Sequence, residues 1–213
     1  DEALTHAREI VAATDLPVSA DFENGFADEP ADLAANIALA VATGLAGCSV
    51  EDYTRHRDGG AGEPIYESRL AAERVAAAAE AAHGASASFV LTARAENYLH
   101  GRPDLADTIA RLQRYQEAGA DVLYAPGLSD PEDIRRLVTS VDRPVNVLAL
   151  PSAPTIAQLG ELGVARVSVG GTFAWVALGA VVDAARELLD SGTYGYSATA
   201  ASGRAAARSA FSA

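Results

Sequence analysis

The sequence predicts an α/β protein, a (β/α)8 barrel of the TIM type whose first strands are absent from this chain. Six short apolar runs alternate with longer segments in which apolar residues recur at helical spacing. This alternation predicts parallel strands, because each helix returns the chain to the same end of the sheet. The six predicted strands are Leu16–Asp21, Ala46–Glu51, Ser88–Arg94, Asp121–Ala125, Pro144–Ala149 and Ala165–Val169.

The segments between these strands have sequence patterns that are typical of helices. Apolar residues four positions apart form stripes that can cover a sheet, as in Leu33, Ile37 and Val41. Pro131 follows a capping aspartate and precedes two acids, which is typical of a helix start, and Pro30 and Pro154 are expected to open helices similarly. A last helix is predicted around Phe173–Leu189.

The number of units favours a barrel that is incomplete at its N-terminus. Glu2–Ala13 has a helical pattern, so one helix precedes six βα units, and eight units would need two more strands and a helix before Asp1. The chain also contains no methionine, so we expect the N-terminus to be missing. An open doubly wound sheet needs no missing piece, but no Gly-x-Gly-x-x-Gly follows the first strand. We expect a barrel domain over residues 1–191 and a tail over 192–213 that is flexible or packs on another subunit.

Composition excludes several classes of function. The formal net charge of -13 repels polyanions, and no basic run offers a nucleic-acid footprint. No apolar run approaches the roughly 20 residues that span a bilayer, so we expect no membrane contact and a cytoplasmic location. Cys48 is the only cysteine, which excludes an intrachain disulfide and favours a small buried apolar role for it.

Acidic residues gather where the first two strands end. Asp21 and Glu23 end the first strand, and Glu51 and Asp52 end the second. In a parallel barrel these ends share one mouth, and alternation along an extended chain places Asp21 and Glu23 on the same side. Oxygen ligands without histidine or cysteine favour Mg²⁺ over zinc, so Asp21, Glu23 and Glu51 are the predicted metal ligands. The alternative is that Glu51 or Asp52 caps a loop or pairs with an arginine of the following segment.

Two residues are candidates for binding a substrate carboxylate. Arg94 closes the third strand, where its guanidinium could hold a carboxylate in a bidentate manner. The alternative is a buried salt bridge from Arg94 to Glu96 or Glu51. Asn146, on the fifth strand, is the second candidate.

The segment after the second strand predicts a lid. Residues 53–62 are charged and rich in glycine, which suits a loop that closes over a ligand, although an idle surface loop has the same composition. Tyr53 and His56 are the candidate proton donors from this segment. Gly170 and Gly171 follow the last strand, where some barrels bind phosphate, but a close turn explains them better.

Three segments resemble the isocitrate lyase/phosphoenolpyruvate mutase superfamily. They read PVSADFENGF at 17–26, GCSVED at 47–52 and TAR at 92–94, and the resemblance in order and spacing runs over essentially the whole chain. The superfamily's first motif usually reads Asp-x-Asp-x-Gly-[Tyr/Phe]-Gly. The resemblance implies a magnesium-dependent barrel enzyme that acts on a small oxo-acid and assembles as a homo-oligomer, a dimer or tetramer, through a C-terminal helix.

The resemblance also implies roles for individual residues. It assigns direct magnesium ligation to Asp21, water-mediated ligation to Glu23 and Glu51, and the substrate carboxylate to Arg94. The aspartate-to-glutamate change at position 23 lengthens one arm of the metal site. A further metal-linked aspartate and a Ser/Gly backbone cradle for the oxo-acid belong to the segment before Asp1.

The predicted lid departs from the superfamily's better-known members. Isocitrate and methylisocitrate lyases carry Lys-Lys-Cys-Gly-His there, whereas this chain reads YTRHR at 53–57, and the lysine and asparagine of the phosphonate mutases are not evident either. We therefore expect a carbon–carbon lyase or decarboxylase that acts on a small α-oxo or α-hydroxy dicarboxylate through an enolate. The alternatives are carbon–phosphorus bond chemistry and a non-catalytic oxo-acid binder.

Overall fold

Six parallel strands form one sheet in which each strand pairs with its neighbours in sequence. The computed structural model describes residues 2–54, 64–85 and 88–211. All six predicted strands are present, each shorter than the apolar run that predicted it. They are β1 Ser19–Asp21, β2 Gly47–Glu51, β3 Val90–Arg94, β4 Val122–Tyr124, β5 Val145–Leu148 and β6 Arg166–Ser168.

The chain divides into two units, Asp1–Ser168 and Val169–Ala213. Among the described residues, the first unit contains the sheet and six helices, and the second contains two helices joined through a π-helical turn, Glu187–Ser191. The predicted boundary after residue 191 stays a prediction. The helices are α1 Glu2–Ala12, α2 Pro30–Val41, α3 Ser68–Ala85, α4 Leu105–Glu117, α5 Pro131–Thr139, α6 Ile156–Glu161, α7 Thr172–Arg186 and α8 Ser197–Ala210.

The helix starts follow local capping chemistry. α5 begins at Pro131 as predicted, because the Asp130 side chain accepts hydrogen bonds from two backbone amides of the first turn. α2 begins at Pro30, also as predicted. The prediction for Pro154 was wrong: α6 begins two residues later, at Ile156, because the Thr155 side chain and Gln158 form a capping box.

The two faces of the sheet differ in polarity because side chains alternate along each strand. One face contributes Cys48, Val50, Leu91, Ala93 and Leu123 to the hydrophobic core, which they form with the buried faces of the helices. Cys48 is fully buried there, as predicted. The other face carries polar residues, and across it Arg166 of β6 donates to Thr92 of β3. A side chain that reaches past two intervening strands shows that the sheet curls, with the polar face inside.

The second unit has an apolar surface. None of the residues of α7, the π-helical turn or α8 is buried, and the exposed side chains include Phe173, Trp175, Val176 and Leu189. The last predicted helix is present as α7, and the predicted tail contains α8. Gly170 has a φ of 54° and precedes the cap of α7, so a turn accounts for it. In the described part of the chain, no helix combines the length and apolarity needed to cross a membrane.

Candidate active site

Arg94 lies among three carboxylates on the inner face of the sheet. Its Nη1 lies 2.9 Å from Asp21 Oδ2, and its Nη2 lies 3.2 Å from Glu51 Oε2. The same Nη2 lies 2.7 Å from Glu96 Oε1, to which Nε also donates. We call Arg94, Asp21, Glu51 and Glu96 the Arg94 cluster. The cluster includes both salt bridges that the sequence offered as an alternative for Arg94, and it adds Asp21.

The register of the strands explains this convergence. Glu51 lies directly opposite Arg94 in the β2–β3 pair, and Asp21 lies opposite Ser49 in the β1–β2 pair. Ser49 Oγ donates to Asp21 Oδ1 at 3.3 Å and links the two strand ends. Glu96 follows β3, and its backbone N–H donates to Asp52 Oδ1 at 2.8 Å. Four groups from three strand ends therefore meet at the carboxyl edge of the sheet.

The Arg94 cluster has more negative than positive groups. Burial raises the pKa of Glu51 to about 7, because the attraction of Arg94 does not outweigh burial and the neighbouring carboxylates. Burial also raises the pKa of Glu96. The carboxylates in turn raise the pKa of Arg94 despite its own burial. An added cation would therefore lower the free energy of the fully ionised cluster.

The ligand atoms that the site offers are of the kind that binds Mg²⁺. All acidic groups offer oxygen, the ligand that Mg²⁺ prefers, and Mg²⁺ usually keeps several waters and takes only one or two protein carboxylates. Across residues 2–54, 64–85 and 88–211, no three acidic, histidine or cysteine side chains are already arranged to hold a metal ion. Asp21 and Glu51 instead share Arg94. The arrangement therefore suits an ion held largely through water.

Glu23 does not lie in an extended segment, contrary to the prediction. β1 ends at Asp21, and Glu23 has a φ of 52°, in the left-handed region. Its backbone N–H donates to Asp21 Oδ1 at 3.2 Å, which turns the chain at this point. The alternation argument that placed both carboxylates on one side is therefore wrong, because the chain is no longer extended. The Oε2 atom of Glu23 is buried, and its role as a metal ligand stays a prediction.

Asp52 belongs to a separate buried network. Its Oδ2 accepts from Tyr115 Oη at 2.6 Å and from Arg111 Nη1 at 3.2 Å. Arg111 also donates to Asp107 and to the backbone oxygen of Tyr66. We call Asp52, Arg111 and Tyr115 the Asp52 network. The predicted partner of Asp52 was an arginine of the following segment, whereas the structure pairs it with Arg111 of α4, 59 residues away in sequence.

Tyr53 contacts a histidine that sequence reasoning did not single out. The rings of Tyr53 and His100 stack with centroids 4.0 Å apart and planes 11° apart. His100 Nε2 lies 3.7 Å from Glu96 Oε2, which connects the stack to the Arg94 cluster. Burial lowers the pKa of His100. His56 and most of the predicted lid lie outside the described residues.

Asn146 lies on the inner face of the sheet, opposite Tyr124 in the β4–β5 pair. Its Oδ1 accepts from Arg166 Nε at 3.0 Å, and its Nδ2 donates to Ser168 Oγ at the same distance. Tyr124, opposite Arg94 in the β3–β4 pair, has its ring centroid 5.4 Å from Arg94 Cζ. Tyr124 was not among the predicted site residues, although its position at the end of the fourth strand was a usable signal.

The fold and this site define a class: a barrel protein with an acid-rich site at the carboxyl ends of parallel strands, where barrel enzymes hold their catalytic groups. A family model described as phosphoenolpyruvate phosphomutase matches residues 1–189. The chain belongs to this family, within the isocitrate lyase/phosphoenolpyruvate mutase superfamily of lyases and mutases. The predicted superfamily is confirmed.

Individual relatives agree with this placement. A Burkholderia cenocepacia protein assigned as a lyase or mutase is 49% identical, with a TM-score of 0.85 over 91% of this chain and 69% of that one. A Corynebacterium glutamicum protein assigned as a 2-methylisocitrate lyase is 29% identical over 90% of this chain. A phosphonopyruvate hydrolase, solved with oxalate and Mg²⁺, is 26% identical, with a TM-score of 0.76 over 89% of this chain and 66% of that one.

These relatives also fix the fold class. The chain spans 62% of the length of three of the curated relatives that it matches, including the Corynebacterium lyase. Its six strands match the α/β barrel of the superfamily, with strands missing, as predicted.

Proposed function

We propose that the protein is a Mg²⁺-dependent carbon–carbon lyase or decarboxylase that acts on a small α-oxo or α-hydroxy dicarboxylate through an enolate. The Arg94 cluster carries the proposal. It combines a cation that can hold a substrate carboxylate with a surplus of carboxylates that can hold a divalent ion. An enolate needs both, because one end of the substrate must be anchored while negative charge develops at the other.

The acidic and the basic residues of the site have different proposed roles. Asp21, Glu23 and Glu51 would hold Mg²⁺, partly through water. When bound, this ion supplies the positive charge that polarises the oxo group and stabilises an enolate. With Asp21 and Glu51 turned to the ion, Arg94 can direct its Nη groups to the substrate carboxylate. Glu96 keeps the guanidinium in place, because it contacts both Nε and Nη2.

We assign proton transfer to residues on the same side of the site as Tyr53. Tyr53 and His56 are the proposed proton donors, in place of the cysteine that the lyases carry in their lid. The ring of Tyr53 stacks on His100, whose Nε2 lies 3.7 Å from Glu96 Oε2. Asn146 is proposed as a further substrate-binding residue, because it is buried on the same inner face.

Carbon–phosphorus bond chemistry is the second candidate. The family model itself describes phosphoenolpyruvate phosphomutase, and a phosphonopyruvate hydrolase is among the similar structures. The same anchor and ion would serve a phosphonate substrate. A non-catalytic oxo-acid binder is the third candidate, because the lid of this chain has neither the cysteine of the lyases nor the lysine of the mutases.

Product analysis tests the three candidates. The purified protein is incubated with oxaloacetate, substituted malates and phosphonopyruvate, with Mg²⁺ or with EDTA, and products are followed by nuclear magnetic resonance. We expect Mg²⁺-dependent cleavage of a carbon–carbon bond, lost in Arg94→Ala and kept in Arg69→Ala, whose exposed arginine pairs with the surface residue Glu73. Conversion of phosphonopyruvate alone, either to phosphoenolpyruvate or to pyruvate and phosphate, would favour the second candidate, and no turnover of any substrate would favour the third.

We also propose that the protein forms a homo-oligomer, a dimer or tetramer, through its C-terminal part. The exposed Phe173, Trp175 and Leu189 give the second unit more apolar surface than a solvated helical pair needs. The resemblance to the superfamily supports the same use of the tail from residue 192. Sedimentation velocity tests this, with Trp175→Glu as the variant expected to shift the protein to monomer.

A further inference from the structure

Arg74 of α3 is a buried arginine that holds the loop between β1 and α2, residues 22–29, which we call the β1–α2 loop. Its Nη1 donates to the backbone oxygens of Ala27, at 2.6 Å, and Asp28, and its Nη2 donates to the backbone oxygen of Asn24. Arg74 is only 1% exposed, so the described part of the chain already surrounds it. The planar fork of a guanidinium can reach three carbonyl oxygens at once, which the single ammonium of a lysine cannot do in the same geometry.

Tyr66 holds the same loop together with Arg74. The guanidinium lies over the ring of Tyr66, with Arg74 Cζ 4.3 Å from the ring centroid. The hydroxyl of Tyr66 donates to Asp28 Oδ1 and accepts from Asn24 Nδ2 at 3.1 Å. Asn24, which is 5% exposed, is therefore fixed through both its backbone and its side chain.

The backbone of the β1–α2 loop needs such support. Glu23 and Phe26 have φ values of 52° and 59°, in the left-handed region, which residues other than glycine adopt only at a cost in free energy. Contacts from the surrounding structure must offset that cost. Arg74 donates to the carbonyl of Asn24, immediately after Glu23, and to the carbonyl of Ala27, immediately after Phe26. It therefore stabilises the loop beside both strained residues.

The β1–α2 loop connects Arg74 with the Arg94 cluster through Glu23. The backbone oxygen of Glu23 accepts from the backbone N–H of Glu51 at 2.8 Å, and its own N–H donates to Asp21 Oδ1. Arg74 also lines one small cavity together with Glu51 and Arg94, so it lies next to the cluster. Loosening of the loop would therefore change the position of Glu23 relative to Asp21 and Glu51.

We infer that Arg74 is a positioning residue of the magnesium site, which acts through the β1–α2 loop to hold Glu23 where it binds the ion. The inference rests on the proposed function, in which Asp21, Glu23 and Glu51 hold Mg²⁺. The hydrogen bonds of Arg74 go to backbone oxygens of the loop, so its effect on the ion is indirect. Mg²⁺ demands a near-ideal arrangement of its ligands, so a displaced ligand lowers its affinity.

Calorimetric titration of Mg²⁺ into the full-length protein measures this role. We expect Arg74→Lys, which keeps the charge but loses the planar fork, to lower the Mg²⁺ affinity about tenfold, as is typical for residues that orient metal ligands. Ile134→Ala is the matched control, because it creates a cavity at a fully buried residue of α5, a helix that contributes no partner to the loop. Thermal melts compare the stability of the two variants. The control should lose stability and keep its Mg²⁺ affinity within a factor of about two, as expected for an independent site.

A double-mutant cycle with Glu23→Gln shows whether the effect passes through Glu23. If Arg74 acts by positioning that carboxylate, Arg74→Lys should change the Mg²⁺ affinity by less than about twofold once Glu23→Gln is present. If Arg74→Lys does not fold, Tyr66→Phe replaces it in the cycle, because it keeps the ring and removes only the hydroxyl that holds Asn24 and Asp28. Equal losses with and without Glu23→Gln, or wild-type affinity in Arg74→Lys, would overturn the inference.

Oxalate titrations distinguish this failure from failure of the proposed function. Oxalate binding that needs Mg²⁺ and Arg94, together with an unchanged Mg²⁺ affinity in Arg74→Lys, would overturn the role of Arg74 alone. Oxalate binding that ignores Mg²⁺ and survives Arg94→Ala would overturn the proposed function as well.

Discussion

Glu51 and Asp52 are neighbours in sequence at the end of β2, yet they lie in two electrically different regions. Glu51 joins the Arg94 cluster, where three carboxylates surround one guanidinium. Asp52 lies in the Asp52 network, where a guanidinium, a phenol and a backbone N–H all donate to one carboxylate. The Arg94 cluster therefore has excess negative charge. In the Asp52 network, by contrast, hydrogen-bond donors surround a single carboxylate.

This difference distinguishes a carboxylate that stabilises the fold from carboxylates that are available to bind a ligand. A buried carboxylate whose partners are complete stabilises one arrangement and gains little from a ligand. A cluster with surplus acids gains from proton uptake or a bound cation, and burial together with the neighbouring carboxylates raises the pKa of Glu51. Burial raises the pKa of Asp52 as well, but there Tyr115, Arg111 and a backbone N–H all act to lower it. The two regions should therefore respond differently to mutation and to Mg²⁺.

The largest expected effect is on stability and comes from the Asp52 network. Arg111→Leu leaves the carboxylate of Asp52 buried without its cation, which should lower the free energy of unfolding by about 3 to 5 kcal/mol. Urea denaturation, followed by circular dichroism, measures this. Mg²⁺ should not restore the loss, because Asp52 is buried and its oxygens still accept hydrogen bonds from Tyr115 and from the backbone N–H of Glu96. A variant as stable as wild type would contradict the structural role of the network.

A smaller effect is expected from the phenol of the same network. Burial raises the pKa of Tyr115 well above its ordinary value, so its hydroxyl stays protonated and donates to Asp52. Tyr115→Phe removes this bond to a charged group and should cost about 1.5 to 3 kcal/mol of unfolding free energy. Tyr194→Phe, at an exposed tyrosine, is the matched control and should cost nothing measurable. Equal losses in the two variants would contradict the account.

The smallest expected effect is on the binding of Mg²⁺ by the Arg94 cluster. Mg²⁺ binds the deprotonated carboxylate, and Glu51 becomes protonated as pH falls through about 7, so Mg²⁺ affinity should fall about tenfold from pH 8 to pH 6. Calorimetric titration at both pH values measures it. Glu51→Gln should bind Mg²⁺ more weakly but with little dependence on pH in this range. An unchanged pH dependence in that variant would assign the proton to another group.

Sequence periodicity predicted the sheet and most helices because both depend on local patterns. The six strands and the start of α5 at Pro131 follow from apolar runs and capping residues that lie together in the chain. The start of α6 was misjudged because two signals competed, and the capping box of Thr155 outweighed Pro154. Parallel pairing then placed Glu51 beside Arg94, so the main candidate residues were already recognisable from their positions at strand ends.

What sequence reasoning missed depends on contacts between distant segments. No local pattern connects Asp52 with Arg111, or Arg166 with Thr92, because strand register and sheet curvature bring these pairs together. The turn at Glu23 was missed for a different reason. Its positive φ arises from a short loop that an alternation rule cannot anticipate.

Calorimetric titration of the full-length protein with oxalate, an enolate mimic, tests the central claim most directly. It is run with and without Mg²⁺ on wild type, Asp21→Ala and Arg94→Ala, with Arg69→Ala as control. We expect tight binding that requires Mg²⁺ and is lost in both cluster variants but not in the control. Binding that is indifferent to Mg²⁺ and unchanged in Asp21→Ala would contradict the assignment of the Arg94 cluster as a magnesium-dependent oxo-acid site.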